Sequence, residues 1–215
     1  MGLPAAGQAW ANQKMGEDST PPHFVPLHTI GGGLVKRLCN TFPTVLGIPL
    51  SSGMSFQLGI LVISDKGARG EREDTSGAAI REMLSALDGT VERYEVVPDD
   101  RAAISQRLID WADDDGLDLI VTTGGTGLGP RDVTPEATRQ AIDYEAPGLA
   151  EAMRLEGLKH TPMAMLSRAV AGVRGRTLIV NLPGSPSGVR ENLSVLLPVL
   201  PHALEILRGQ TEHGG

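Results

Sequence analysis

The hydrophobic pattern becomes regular at about Phe56, and the first element that it predicts is a buried strand over residues 58–64. A continuous apolar run of this length is typical of a strand in a sheet that helices cover on both faces. Residues 119–121 and 177–182 are two further runs of this kind, and residues 89–97 predict a fourth strand. These runs are the predicted strands of one sheet.

Between the strands, apolar residues recur at helical spacing. The spacing predicts helices over about residues 75–87, 100–114, 135–143, 147–158 and 187–207, and residues 167–176 predict a strand and turn. Asp74 or Thr75 is the expected cap of the first helix, and Pro198 and Pro201 are expected to bend the last one. Because strands and helices alternate with short connections, the sequence predicts an α/β fold with a mostly parallel sheet between helices.

Residues 1–53 show no sustained period of either kind. They contain prolines at positions 4, 21, 22, 26, 43 and 49, and a glycine run at 31–33. The segment is not a secretory signal, because its positive residues follow the glycines and no long apolar core comes after them. We interpret it as an irregular, disordered extension, as a leader added in cloning, or as chain upstream of a natural start at Met54. The ordered domain is then expected over residues 54–215.

Composition indicates a soluble globular protein. The chain has 215 residues, of which 40% are hydrophobic and 21% charged, enough for one well-cored domain with an additional segment or for two small domains. A net charge of −7 and a pI near 5.2 argue against a nucleic-acid partner bound through a basic surface. The single cysteine, Cys39, cannot form an internal disulfide, which favours a cytoplasmic location. No apolar run approaches the roughly 20 residues that a membrane helix needs.

The most distinctive stretch follows the strand at 119–121, where Gly124, Gly125 and Gly127 alternate with threonines and Asp132 comes shortly after. A strand that runs into a glycine-rich loop and a helix offers backbone N–H groups to a phosphate. An acidic residue just beyond the loop suits the Mg²⁺ ion that such a phosphate carries. A dinucleotide fingerprint would need glycine where Pro130 stands, and the Gly-Lys-Ser/Thr ending of a Walker-type loop is missing. The alternative is that the glycines only shape a tight turn.

Several predicted strand ends carry polar residues, and ligands of open parallel sheets bind beyond such ends. Asp65 and Asp99 follow two strands, the glycine loop follows a third, and residues 181–186 follow a fourth. Carboxylates beside a phosphate would repel it unless a divalent cation lies between them. A nucleoside triphosphate with Mg²⁺ would account both for the phosphate-binding loop and for the carboxylates next to it. The structural alternatives are a helix cap for Asp99 and Asp132 and a strand turn for Asp65. Clustered Cys and His residues for zinc are missing from the sequence.

Seven motifs in order resemble the molybdopterin-binding family of molybdenum cofactor biosynthesis. They lie at residues 63–65, 74–77, 122–127, 131–136, 147–154, 166–168 and 181–186. Their order and spacing are similar to those of stand-alone molybdopterin adenylyltransferases of the MogA/MoaB type. The resemblance covers about residues 56–210 and leaves residues 1–53 without a counterpart.

The resemblance implies a three-layer α/β/α sandwich, a homotrimer, and adenylyl transfer from MgATP to the terminal phosphate of molybdopterin. Asp99 and Asp132 would then be the catalytic and Mg²⁺-binding carboxylates. The implied phosphate-binding residues are Thr123, Gly124, Gly125, Thr126 and Gly127. The implied molybdopterin-binding residues are Asp65, Ser76, Glu151, Pro183, Gly184, Ser185 and Pro186. Other cofactor-biosynthesis proteins are possible partners, whereas nucleic acid and membrane are not expected.

Three alternatives share this domain type. The molybdate-insertion enzyme carries large flanking domains, which residues 1–53 are too short and irregular to supply. A competence-related nucleotide-processing protein carries an amidase partner that is missing from this sequence. The third alternative is a non-catalytic carrier or scaffold for molybdopterin, against which the presence of both Asp99 and Asp132 argues. The sequence does not separate the MogA from the MoaB subtype, or a molybdenum from a tungsten pathway.

Overall fold

The computed structural model describes residues 55–210, so the extension predicted over residues 1–53 lies outside the described residues. Within that range the strands are β1 (Phe56–Ile63), β2 (Gly89–Val97), β3 (Leu119–Thr123), β4 (Tyr144–Glu145), β5 (Ala171–Arg174) and β6 (Thr177–Leu182). They form one sheet in the order β2-β1-β3-β6-β5-β4. Strands β2, β1, β3 and β6 are mutually parallel, whereas β5 pairs antiparallel with β6 and β4 pairs antiparallel with β5 at one edge. The predicted mostly parallel sheet is confirmed.

Helices cover both faces of this sheet. They are α1 (Asp65–Ala68), α2 (Thr75–Leu84), α3 (Arg101–Asp113), α4 (Thr134–Ala141), α5 (Pro147–His160), α6 (Pro186–Leu196) and α7 (Leu200–Leu207), with a 3-10 turn at Pro162–Leu166. One core cluster joins Ile60 of β1 to side chains of α2, α5, α6 and α7. A second cluster joins Leu61, the next residue, to α3 and α4. Successive strand residues therefore pack into opposite layers, as the predicted α/β/α sandwich requires.

The end of the chain differs from the prediction. A single bent helix was expected over residues 187–207, but α6 ends at Leu196 and α7 begins at Leu200. Pro198 has no N–H for a helical hydrogen bond, and its ring displaces the preceding turn, so the helix stops. Pro201 lies in the first turn of α7, where a missing N–H costs nothing. Two prolines thus end one helix and start another.

The loop after β1 also differs from the prediction, because it contains the one-turn helix α1. Ser64 caps this turn, and its side-chain oxygen accepts from the N–H of Gly67 at 3.1 Å. The helix places Asp65 directly at the end of β1. Among residues 55–210, no helix has the length and apolar character needed to span a membrane.

Candidate functional site

Four parallel strands end side by side and bring the predicted polar residues to one edge of the sheet. Ile63 of β1 pairs with Val97 of β2, and Val62 pairs with Thr123 of β3. Thr123 in turn pairs with Leu182 of β6. The residues after each strand, from Asp65 to the segment that follows Leu182, therefore meet on one rim, as the sequence predicts.

The glycine-rich loop depends on two backbone conformations that favour glycine. Gly124 has φ 102° and Gly125 has φ 64°. A Cβ atom at Gly124 would collide with the carbonyl of Ile63, and one at Gly125 would collide with the hydroxyl of Thr134. The Thr134 hydroxyl donates to the carbonyl of Gly124 at 2.9 Å, and its N–H donates to the carbonyl of Gly125 at 3.2 Å. The first turn of α4 thereby fixes the shape of the loop.

The same loop leaves backbone donors unused. The N–H groups of Gly125, Thr126 and Gly127 have no hydrogen-bond acceptor within residues 55–210. Successive free N–H groups in a turn with left-handed residues form a concave anion-binding surface. The alternative that these glycines only shape a turn accounts for their φ angles, but not for three adjacent free donors.

Asp65 and Asp99 are held together at the ends of β1 and β2. The Asp65 N–H donates to the Asp99 carboxylate at 2.8 Å, and the Asp99 N–H donates to the Asp65 carboxylate at 3.1 Å. Arg131 donates to both oxygens of Asp65 at 2.9 and 3.0 Å. The cap of α3 is Asp100, whose side chain accepts from the Ala103 N–H at 2.8 Å, so the helix-cap alternative for Asp99 is wrong.

The pKa values of these two carboxyl groups are shifted in opposite directions. The hydrogen bonds from Arg131 and from the Asp99 N–H hold the pKa of Asp65 below its ordinary value. Burial, followed by the nearby charges of Asp65 and Asp132, raises the pKa of Asp99. A carboxylate that is half buried among like charges is a natural position for a cation.

Asp132 belongs to a turn beside the glycine loop. Its carboxylate accepts from the Gly129 N–H at 2.7 Å, and its N–H donates to the Gly129 carbonyl at 3.0 Å. A Cβ atom built at Gly127 would lie 2.9 Å from this carboxylate, which shows how closely the two approach. Val133 rather than Asp132 precedes α4, and it makes no side-chain cap, so the cap alternative for Asp132 is also wrong.

Within residues 55–210, no group of three or more His, Cys, Asp or Glu residues is placed to hold a metal ion alone. Mg²⁺ is commonly bound by one or two carboxylates together with substrate phosphates and water. Asp99 approaches the glycine loop at Gly125 and Asp132 approaches it at Gly127, and both side chains carry carboxylate oxygens. The residues present therefore fit a Mg²⁺ ion that arrives with a phosphate ligand.

Two cavities flank the glycine loop. The first, of about 210 Å³, is lined at the loop by Gly124 and Gly125. Its other polar lining residues are Ser64, Arg72, Glu73, Asp74, Thr75, Ser76, Asp99 and Thr123. The second, of about 410 Å³, is lined by Thr126, Gly127, Pro183 and Ser185, and by apolar side chains that include Met163 and Leu166 of the 3-10 turn. The loop thus contributes its first half to one cavity and its second half to the other.

The segment after β6 is tied to the other strand ends. The Thr123 hydroxyl donates to the Pro183 carbonyl at 2.7 Å, and the Ser76 hydroxyl donates to the Gly184 carbonyl at 2.8 Å. Ser185 caps α6 by accepting from the Gly188 N–H, and Pro186 occupies the first position of that helix. Ser76 and residues 183–186 are therefore brought together with the loop. Glu151 is exposed on α5 and lines neither cavity.

Three arginines and one aspartate at this rim were not among the predicted site residues. Arg72 and Asp74 line the first cavity, Arg131 binds Asp65, and Arg168 contacts the glycine loop. Asp74, Arg131 and Arg168 all lie within the motifs that carry the resemblance, so the signal was present in the sequence. Their contacts span up to 66 positions along the chain, which a local pattern does not reveal.

Comparison with known proteins agrees with this architecture. The family model described as a probable molybdopterin binding domain matches residues 59–202. A molybdopterin adenylyltransferase of Helicobacter pylori is 43% identical over 157 residues, which are 72% of this chain and 89% of that protein. The solved structure of the molybdopterin biosynthesis enzyme MoaB from Thermus thermophilus is 64% identical, with a TM-score of 0.69 over 72% of this chain and 97% of that one. The tungsten cofactor synthesizing protein MoaB from Pyrococcus furiosus is 37% identical, with a TM-score of 0.66 over 73% and 99%.

The fold and the site together define a three-layer α/β protein with a glycine-rich loop and two carboxylates at its strand ends. The family match covers well over half of the chain, and the relatives above are aligned over most of their own length. The chain belongs to the molybdopterin-binding domain family of molybdenum cofactor biosynthesis, and the resemblance carried by the seven motifs is confirmed.

Proposed function

We propose that this protein is a molybdopterin adenylyltransferase. An oxygen of the terminal phosphate of molybdopterin attacks the α-phosphorus of ATP, the bond from that phosphorus to the β-phosphate oxygen breaks, and pyrophosphate leaves. The observation that carries the proposal is the glycine loop, whose residues 125–127 have free N–H groups and line one or the other of two flanking cavities. Family membership and the 43% identity to a molybdopterin adenylyltransferase support the same activity.

The nucleophile in this reaction is a phosphate of the substrate, so the protein has to position two phosphates and neutralise their charge. The loop N–H groups would hold the transferred phosphate from one side. Arg72 supplies a positive charge to the first cavity, and it has no salt bridge to a carboxylate within residues 55–210. No side chain needs to form a covalent bond with the substrate.

Asp99 and Asp132 would hold Mg²⁺ when MgATP binds, and the ion would neutralise negative charge on the phosphates. The chain's own contribution is to hold both carboxylates close to the loop. The Asp65 N–H donates to Asp99 from one side, where Arg131 binds Asp65, while the turn at residues 129–132 orients Asp132 from the other.

The two cavities suit the two substrates. The first has the polar lining, with Asp99, Arg72 and Ser76, and is the proposed position of the nucleotide phosphates. The second is larger and has an apolar wall at Met163 and Leu166, which suits a pterin ring. Pro183 and Ser185 on its other side would contact the molybdopterin, together with Gly184 and Pro186 beside them. Asp65 contacts Asp99 beside the first cavity, which Ser76 also lines, so these two residues would reach molybdopterin from that side, and Glu151 lines neither cavity.

We also propose that the protein is a cytoplasmic homotrimer. Leu155 and Met165 are 66% and 67% exposed on α5 and the adjoining 3-10 turn, which leaves apolar side chains for a contact with another copy. Light scattering coupled to size exclusion would test this, and a monomer at micromolar concentration would contradict it.

Pyrophosphate release from ATP and Mg²⁺, measured with and without molybdopterin, tests the proposed activity. We expect release that depends on molybdopterin. Tight binding of molybdopterin without release would indicate a carrier instead. A protein that does not bind molybdopterin would belong to the nucleotide-processing type.

A further inference from the structure

Arg168 connects both ends of the segment that carries Asp132. Its Nε donates to the carbonyl of Gly127 at 2.7 Å, and its Nη2 donates to the carbonyl of Asp132 at 2.6 Å. Its backbone N–H donates to the carbonyl of Thr126 at 2.9 Å. One residue therefore fixes the backbone on both sides of residues 128–131.

The third arm of the guanidinium reaches α4. Nη1 forms a hydrogen-bonded ion pair with Glu136 in the first turn of that helix. Burial raises the pKa of Glu136, but the bond from Arg168, the backbone N–H of Glu136 and the charges of Arg168 and Arg139 together outweigh it, so the pKa lies below the ordinary value. A planar guanidinium presents its donors in a fixed fork, and a lysine ammonium cannot reach three separated acceptors in the same way.

Other backbone hydrogen bonds of this segment are internal, and the Arg131 side chain binds Asp65. The Gly129 N–H and the Asp132 carboxylate close a turn, as do the Asp132 N–H and the Gly129 carbonyl. Within residues 55–210, the hydrogen bonds that join the backbone of residues 126–132 to the rest of the protein come from Arg168. The exposed Leu128 at the outer side of the segment adds little packing, since its side chain is 64% exposed.

We propose that Arg168 is a positioning residue for adenylyl transfer. It holds the Asp132 backbone at a fixed separation from Gly127, so that the Asp132 carboxylate and the loop N–H groups face the same phosphates. This inference rests on the proposed function. It adds a positioning role for Arg168, a residue that lines neither cavity. Arg168 therefore acts through Asp132 and the loop and not by touching the substrate.

Arg168→Lys tests the proposal, and Arg174→Lys is its matched control. Arg174 also binds a carboxylate and a carbonyl: it donates to Asp113 at 2.9 and 2.6 Å and to the Ala141 carbonyl at 2.8 Å. The two side chains are similarly exposed, at 33% and 24%. Arg174 lies at the far end of β5, away from the glycine loop. Comparing the two variants distinguishes the general effect of replacing a hydrogen-bonded arginine from the specific effect of displacing the glycine loop.

For Arg168→Lys we expect kcat to fall by about 10- to 100-fold, as for other residues that orient a metal-binding carboxylate. The KM for molybdopterin should stay within about twofold of wild type, because Arg168 does not touch that substrate. The Mg²⁺ concentration for half-maximal rate should rise. Arg174→Lys should leave all three values unchanged, and an equal fall of kcat in both variants would overturn the proposal.

Amide hydrogen exchange in the ligand-free protein gives a readout that does not depend on activity. We expect faster exchange across residues 126–132 in Arg168→Lys and wild-type exchange there in Arg174→Lys. Unchanged exchange in folded Arg168→Lys would overturn the positioning role even if wild type is active. If wild type does not transfer AMP, the proposed function fails, and the exchange result still decides the role of Arg168 in the loop.

A second variant covers the case in which Arg168→Lys does not fold. Glu136→Ala removes the partner of the guanidinium on α4 and leaves both carbonyl acceptors in place. We expect faster exchange at residues 126–132 and a smaller fall of kcat. Wild-type exchange in this variant would count against the proposal.

Discussion

Asp65 and Asp99 each donate a backbone N–H to the carboxylate of the other, at 2.8 and 3.1 Å. They follow β1 and β2, which are neighbouring parallel strands, so this reciprocal pair joins two strand ends at the rim of the sheet. The two carboxyl groups differ electrostatically, because Arg131 binds Asp65 directly whereas Asp99 is half buried. Of these two carboxylates, Asp65 is paired with an arginine, whereas Asp99 has no salt bridge within residues 55–210.

Arg131→Gln should raise the pKa of both aspartates. It removes the hydrogen bonds that depress the pKa of Asp65, and it removes a positive charge that offsets burial at Asp99. Both groups should then protonate at higher pH than in wild type, with Asp99 still titrating above Asp65. Carboxyl carbon NMR in the absence of Mg²⁺ would measure this. Arg139→Gln is the control, because Arg139 pairs with Glu145 and leaves the rim untouched; unshifted aspartates in Arg131→Gln would contradict the assignment.

Asp132→Asn should leave the fold intact and abolish Mg²⁺-dependent turnover. The remaining side-chain oxygen of asparagine can still accept from the Gly129 N–H, so the turn at residues 129–132 should persist. The charge that would bind Mg²⁺ is lost. Thermal unfolding and pyrophosphate release would be measured together. Turnover close to wild type would remove Asp132 from its proposed role, and a large drop in melting temperature would show that the charge is structural.

Gly125→Ala should cost more stability than Gly116→Ala. Both glycines have left-handed backbones, with φ 64° and 65° respectively, and that conformation costs alanine about 1–2 kcal/mol. A Cβ atom at Gly116 meets nothing within 4 Å, whereas one at Gly125 would collide with Thr134 and lie 3.3 Å from Asp99. Urea denaturation would compare the two free energies of unfolding, and ATP binding should weaken only in Gly125→Ala. Equal losses of stability would show that the loop moves to accommodate the added Cβ atom, which would contradict the prediction.

A chain that starts at Met54 should fold and act like the full chain. Strand β1 begins at Phe56, and the family model matches from residue 59. The proposed domain of residues 54–215 contains all of the elements described above. Circular dichroism and pyrophosphate release would compare the two proteins. If the shorter chain lost its fold or activity, the interpretation of residues 1–53 as an irregular extension would be wrong.

The sequence predicts the sheet well because its central strands are buried on both faces. Every residue of β3 and of β6 is buried, so these segments are continuous apolar or small-polar runs with little ambiguity. The elements that were missed are short: α1 has 4 residues and β4 has 2. Such lengths span about one hydrophobic period, too little for a repeat to show, and local capping or pairing with β5 decides them.

The sequence predicts which strand ends form the site, but it does not predict the side-chain contacts between them. Glycines and aspartates after apolar runs marked the loop and the carboxylates, since the sheet itself aligns parallel strand ends. The bond from Arg168 to Gly127 spans 41 positions, and the bond from Arg131 to Asp65 spans 66. These depend on how the connections between strands fold back over the rim. A residue pattern alone carries no such information.

Asn181→Leu should destabilise the fold, whereas Ser105→Ala should not. Asn181 is buried in β6: its side-chain oxygen accepts from the Val170 N–H at 3.2 Å, and its amide donates to the Thr122 and Thr138 hydroxyls at 3.0 and 2.9 Å. Leucine has a similar volume but leaves the Val170 N–H without that acceptor, which costs about 1–3 kcal/mol.

Ser105 provides the contrast because its hydroxyl is buried on α3 without a hydrogen-bond partner among residues 55–210. Removing an unpaired buried hydroxyl is neutral or stabilises the fold by up to about 1 kcal/mol. Urea denaturation of both variants would test the pair. Equal free energies of unfolding would show that the Asn181 bonds contribute no more than an unpaired hydroxyl, and that apolar packing between β3, β6 and α4 alone holds this end of the sheet.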